Sequence, residues 1–109
     1  MPLPEKILPS ELQHHIDTGA MRQQLLDQII KDLGIEPWPI SAEAPDFFNL
    51  LEKELYYTLL AIIERQPQLL PNIIYRIDLN EQRVKTMLLN PEGDATKDLT
   101  LLVLEREMK

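Results

Sequence analysis

The chain has 109 residues, of which 44% are hydrophobic and 27% charged, and its formal net charge is -7. This length and balance are typical of one folded domain and not of a disordered segment. The absence of cysteine excludes disulfides, thiolate metal sites and cysteine nucleophiles. The acidic balance disfavours nucleic acid as a partner, because that binding depends on lysine and arginine displacing counterions.

Residues 1–9 contain three prolines and no continuous apolar run behind a basic start. They therefore do not resemble a secretory signal, and no later stretch is apolar enough for a membrane span. We expect an extended lead-in over 1–9, a single helical domain over 10–109 and a cytoplasmic location.

The first predicted helix covers residues 10–33. Ser10 suits the N-cap position, and Gln13, three residues later, completes a capping box. Gly34 suits the position that follows the end of a helix. Residues 17–19, Asp-Thr-Gly, are unfavourable in a helix interior, so a break there is the alternative to one long helix.

A connector with three prolines is predicted over residues 35–45, because proline removes amide donors and biases the preceding residue away from helix. It carries Trp38, the only tryptophan. The structural interpretation is that the Trp38 ring closes one end of the core. The functional interpretation is an exposed aromatic anchor for a partner.

A central helix is predicted over residues 46–66. Its apolar side chains recur every three or four residues, and a helix apolar nearly all round belongs inside a packed domain. One face comprises Phe48, Leu51, Leu55, Leu59 and Ile62, and a second stripe comprises Leu50, Tyr57 and Ala61. We expect the other segments to pack around this helix.

Residues 68–79 fit a helix and a strand about equally well. Since no convincing partner strand exists, we predict a short helix that begins near Pro71, where a missing amide is harmless. The next predicted helix covers 81–89. Asn80 is its N-cap, with Leu79 and Val84 as a hydrophobic staple and Val84, Met87 and Leu88 facing inward.

The last predicted helix follows a turn at residues 90–93 and begins at Asp94. Its apolar residues cover a wide side, and its last residues, 105–109, suit a solvated helix end. The sequence therefore predicts an all-α fold, an irregular bundle of four to five helices around the helix at 46–66.

Metal and catalytic chemistry have little support in the sequence. Glu11, His14, His15 and Asp17 form the only cluster of metal-ligand residue types, but on a helix they make two pairs about 100° apart. We predict no metal, no cofactor and no catalytic residue. An enzyme or small-molecule carrier, with a pocket near Trp38, Tyr56 and Tyr57, is the least favoured function.

Tyr75, Arg76 and Asp78 are polar residues within an apolar segment. The structural interpretation is that the tyrosine hydroxyl, or a pair of Arg76 with a carboxylate, fixes how two helices meet. The functional interpretation makes Arg76 a contact for an anion or an acidic peptide.

Residues 69–89 also have the outline of a helix-turn-helix, with Arg83 and Lys85 on its second helix. An acidic DNA-binding regulator is therefore the alternative function. The leading hypothesis is a non-enzymatic interaction or scaffold domain that self-associates, because two helices offer more apolar surface than short neighbours cover. The predicted partner contacts are Trp38, Tyr75, Arg76, Arg83 and Lys85.

Overall fold

The computed structural model describes residues 19–108. This part of the chain contains five α-helices and one 3₁₀ turn. This part contains no strand, so the all-α prediction is confirmed, and so is the choice of helix over strand near residue 71. The elements are α1 (Gly19–Leu33), α2 (Phe47–Arg65), the 3₁₀ turn (Pro67–Leu69), α3 (Leu70–Ile77), α4 (Glu81–Leu89) and α5 (Ala95–Glu107).

Several predictions fall outside the described residues. These are the lead-in over 1–9, the capping box at Ser10, the choice between one helix and two near residue 18, and the cluster around His14 and His15. The end of the first predicted helix does fall inside them, and α1 ends at Leu33 as expected.

Gly34 ends α1 in the way that the sequence predicts. Its φ is +67°, a left-handed conformation that glycine adopts without steric cost. The Gly34 amide donates to the Lys31 carbonyl (3.2 Å), and the Ile35 amide donates to the Ile30 carbonyl (3.2 Å). This is the Schellman pattern, which satisfies carbonyls that the end of a helix otherwise leaves unpaired.

Replacing Gly34 with alanine is expected to lower the free energy of unfolding by about 1–2 kcal/mol, the usual cost of left-handed backbone in a residue with a Cβ. That Cβ would also lie only 3.2 Å from Arg76 Nη1, so the arginine must shift. Urea unfolding measures the loss. Gly34→Asn is the control, since asparagine tolerates this conformation better. Equal stability of the alanine variant and the wild type would contradict the left-handed conformation at Gly34.

The core lies between α2 and α5. Leu51, Leu55 and Leu59 of α2 are fully buried, one turn apart on one face. Helix α5 packs against each of the other four helices, which explains why its buried residues occupy most of its circumference. Those buried residues are Thr96, Leu99, Thr100, Leu102, Val103 and Leu104.

The second apolar stripe of α2 is not covered by neighbouring helices. Leu50 is half-buried, Ala61 is exposed, and Tyr57 retains 46% of its exposure. Helix α2 therefore has one side in the core and one side towards solvent, whereas its apolar composition predicts enclosure on several sides. The closing helix α5 is the element that is enclosed in this way.

The C-terminal end of α3 is joined to α5 by an arginine–aspartate pair. Arg106 donates from Nη2 to Asp78 Oδ2 (2.9 Å) and from Nε to the Ile77 carbonyl (3.4 Å). The sequence predicts a helix-joining pair of Arg76 with a carboxylate, and this prediction is wrong because Arg106 forms the pair with Asp78. Arg76 instead extends towards Gly34 at the C-terminal end of α1, where a cation complements the negative end of the helix dipole.

Candidate interaction surface

Helices α3 and α4 enclose an apolar groove of about 530 Å³, which we call the α3–α4 groove. Hydrophobic side chains and two prolines supply most of its lining, and four polar or amphipathic residues add to it. The apolar members are Pro67, Leu70, Pro71, Ile74, Leu79, Val84 and Leu88, and the others are Tyr75, Asp78, Glu81 and Lys85.

Helical spacing accounts for the apolar lining. Leu70 and Ile74 are four residues apart on α3, and Val84 and Leu88 are four apart on α4, so each pair lies on one face of its helix. Two such faces, set at an angle by a short corner, leave a trough between them. Leu79 lies at that corner.

Local hydrogen bonds fix the corner between α3 and α4. Asp78 adopts a left-handed conformation (φ 62°, ψ 48°), the role that glycine more often takes after a helix. The Leu79 amide then donates to the Ile74 carbonyl (2.9 Å). Asn80 caps α4 as predicted, because its Oδ1 accepts from the Arg83 amide (3.0 Å). Hydrogen bonds at the end of α3 and at the start of α4 thus fix the corner between the two walls of the groove.

Large apolar side chains remain exposed on this part of the surface. Tyr75, in the groove lining, is 86% exposed, and Leu88, also in the lining, is 37% exposed. Leu89, next to Leu88 at the end of α4, is 81% exposed. Contiguous exposed apolar residues around a concave surface are typical of a site that contacts another molecule.

Charges of both signs border the groove. Lys85 Nζ lies 3.5 Å from Glu81 Oε1, and both side chains are mostly exposed. Residues 67–90 contain three basic and two acidic residues, whereas residues 34–66 and 91–108 are each strongly acidic. Residues 19–33 are balanced too, with two residues of each sign. The groove therefore lies in one of two parts of the described chain where the charges are nearly balanced.

The structure brings two of the five predicted partner contacts, Tyr75 and Lys85, to the α3–α4 groove. Arg76 is directed to the end of α1. Arg83 and Lys85 are two residues apart on α4, about 160° around the helix, so Arg83 faces away from the groove. Trp38 is half-buried against the core, which agrees with the structural interpretation of this residue.

A second concave surface lies on the exposed side of α2. It is an open depression of about 660 Å³ lined by Tyr57, Thr58, Ala61, Ile62, Arg65 and Gln66. We call it the α2 depression. It includes Tyr57 but not Trp38 or Tyr56, and Tyr56 is buried. Burial, with the nearby Asp94 carboxylate, raises the pKa of the Tyr56 hydroxyl.

Two carboxyl groups, of Asp32 on α1 and Glu107 on α5, influence each other. Burial of Glu107, together with a hydrogen bond to Asp32 and the charge of Asp32, raises the pKa of Glu107 to about 8, while Arg106 acts in the opposite direction. The Glu107 Oε2 atom is buried and, within residues 19–108, accepts no hydrogen bond. A pKa raised in this way favours a proton on Glu107, and two ionised carboxylates would repel each other.

The sequence predicts that Leu88 faces inward and assigns no role to Leu89. The structure leaves Leu88 partly exposed and Leu89 almost wholly so. The sequence does indicate that one of the two leucines is exposed: adjacent residues point about 100° apart on a helix, so the narrow buried face of a short surface helix cannot hold both.

Residues 19–108 hold no group of three histidine, cysteine, aspartate or glutamate side chains placed to bind a metal. Over the same residues, no helix is both long enough and apolar enough to cross a bilayer. Comparisons with protein-family models, with curated proteins and with solved structures found no significant match to this chain.

Proposed function

We propose that this domain is a non-enzymatic protein-interaction module whose contact surface is the α3–α4 groove. The observation that carries the proposal is an apolar trough bordered by the exposed side chains of Tyr75 and Leu88. Burying such a trough against a partner gains hydrophobic free energy, and an exposed tyrosine is among the residues most often dominant in binding.

The dimensions of the groove favour a helical partner segment. Helices α3 and α4 have eight and nine residues, which corresponds to a length of about 12–13 Å. That length matches roughly two turns of a partner helix with apolar residues at positions i, i+4 and i+7. The charged side chains of Glu81 and Lys85 at the border suit polar residues that flank those anchors.

The DNA-binding alternative has weaker support from the geometry. Arg83 and Lys85 face away from each other on α4, so one groove of a duplex cannot receive both side chains. Lys85 is also paired with Glu81. The α3–α4 corner therefore has the outline of a helix-turn-helix but not a basic face on its second helix.

Leu88→Glu is expected to lower the affinity of the groove for helical peptides at least tenfold, because a charged side chain would have to be desolvated there. The measurement is selection of a displayed library of amphipathic helical peptides, about 15 residues long, followed by titration of the selected peptides. We expect them to share apolar residues at helical spacing.

Tyr57→Glu is the matched control, since Tyr57 is an exposed apolar residue of the α2 depression. This variant should retain peptide affinity. Circular dichroism checks that both variants are folded. If Leu88→Glu binds as tightly as the wild type, or if only Tyr57→Glu loses binding, the groove is not the contact surface.

A further inference from the structure

We infer that the partner that occupies the α3–α4 groove is a second copy of this chain, related to the first by a twofold axis. This inference rests on the proposed function. In the dimer, the α4 helices of the two copies lie antiparallel, and the leucines at the end of each α4 enter the groove of the other copy.

The shape of the surface supports a twofold contact. Such a contact uses the same patch on both copies, so that patch must carry a projection and a recess. The recess is the apolar floor formed by residues such as Ile74 and Leu79. The projection is the end of α4, where Leu88 and Leu89 are exposed beside it.

The register follows from the positions of the charged residues on α4. If the axis passes near residue 83, antiparallel α4 helices place Lys85 of each copy opposite residue 81, a glutamate, of the other. The same register carries residues 88 and 89 of one copy towards residues 77 and 78 of the other, at the α3–α4 corner. The ionic pairs and the approach of each α4 end to the corner, where Asp78 and Leu79 line the other copy's groove, thus occur in a single arrangement.

Net charge restricts where two copies can meet. Each copy carries -7, so two copies repel each other over most of their surfaces. Residues 34–66 and 91–108 are strongly acidic, whereas residues 67–90 contain Arg76, Arg83 and Lys85 against Asp78 and Glu81. Residues 19–33 are balanced as well, with two basic and two acidic residues, but none of them lines the groove. The groove combines balanced charge with exposed apolar surface, so two copies can meet there without strong repulsion.

The size of the surface indicates a weak dimer. Two helices about 13 Å long and about 10 Å wide present a face of roughly 260 Å². This is well below the roughly 800 Å² per partner of a standard stable interface. We therefore expect a weak, transient association, with a monomer–dimer equilibrium visible at chain concentrations on the order of 10 µM to 1 mM.

Charge reversal on α4 tests the dimer. Lys85→Glu gives both copies an acidic groove border, and Glu81→Lys gives both a basic one, so each variant alone should dimerise at least tenfold more weakly than the wild type. An equimolar mixture of the two variants should recover dimerisation, because their borders are complementary. Sedimentation equilibrium of the full chain over this concentration range provides the measurement.

Two exposed residues of α2 provide controls matched in net charge. Lys53→Glu and Glu64→Lys change the charge of the chain by the same amounts but lie away from the groove. Their effects measure general repulsion. Glu81→Lys makes the chain less acidic, so general repulsion alone predicts stronger association, whereas the twofold contact predicts weaker association.

A wild-type chain that stays monomeric at 1 mM overturns the dimer, and so does a mixture that associates no better than its components. Open-ended polymers overturn it as well, because they require two different surfaces. If the monomeric chain still binds library peptides through Leu88, only the dimer fails and the groove serves another protein. If it neither dimerises nor binds peptides, the proposed function fails too.

Discussion

Leu55→Ala is expected to lower the free energy of unfolding by about 3–5 kcal/mol, the usual range for a fully enclosed leucine. Leu55 has no exposed surface and lies in the middle of α2, within the core between α2 and α5. The cost combines the lost burial of the side chain with the cavity that remains. For a domain of this size the loss is a large part of a total of about 5–15 kcal/mol.

Urea unfolding tests this as a shift of the midpoint with little change in the slope. The matched control is Leu89→Ala, the same substitution at a leucine that is 81% exposed. That variant should stay within about 0.5 kcal/mol of the wild type, as surface substitutions usually do. Similar losses at both positions contradict the assignment of α2 to the core.

The wild type is expected to lose stability as the pH rises, and Glu107→Gln is expected to remove that loss. The pKa of Glu107 is raised to about 8 in the folded state, whereas an unfolded glutamate has a pKa of about 4.3. Between these values the folded chain holds a proton that the unfolded chain has released, so the free energy of unfolding falls with increasing pH. The stabilisation is full below about pH 4.3 and is lost above about pH 8.

The size of this effect is limited because Glu107 is only half-buried. After allowance for solvent screening, we expect a loss on the order of 1–2 kcal/mol between pH 5 and pH 9. The glutamine variant should therefore be more stable than the wild type at pH 9. The charged groups around this site are Asp32 on α1 and Arg106 on α5, and Arg106 is also paired with Asp78 at the end of α3.

Glu105→Gln is the control for this measurement. It removes the same charge two residues earlier on α5, about 160° around the helix from Glu107, and should keep the pH dependence of the wild type. Asp32→Asn should reduce that dependence, because the carboxylate that raises the pKa of Glu107 is removed. Parallel stability curves for Glu107→Gln and the wild type count against the carboxyl pair.

Most of the fold could be predicted because its determinants are local in the sequence. The caps formed by Gly34 and Asn80 depend on residues within one turn, and both are found as expected. Asp94 likewise caps α5 by accepting from the Lys97 amide (3.0 Å). Periodicity places the apolar residues of α2 on a helix but does not show which of its sides the other helices cover.

Less of the candidate site could be predicted because its determinants are distant in the chain. Asp78 is paired with Arg106, 28 residues away, and no local pattern distinguishes that partner from the nearby Arg76. The groove depends on the angle between α3 and α4, which local sequence patterns do not determine. Tyr75 stands out in the sequence because it is polar within an apolar run, whereas Leu88 has an ordinary position for a core leucine.

The position of α5 has a consequence for the order in which the domain can fold during synthesis. Helices α1 to α4 are made first, yet each of them packs against α5. The leucines of α2 have no complete covering until residues up to Glu107 have left the ribosome. Before that point the nascent chain presents uncovered apolar surface to chaperones, and a chain that stops after the turn at residues 90–93 is expected to be a substrate for proteolysis.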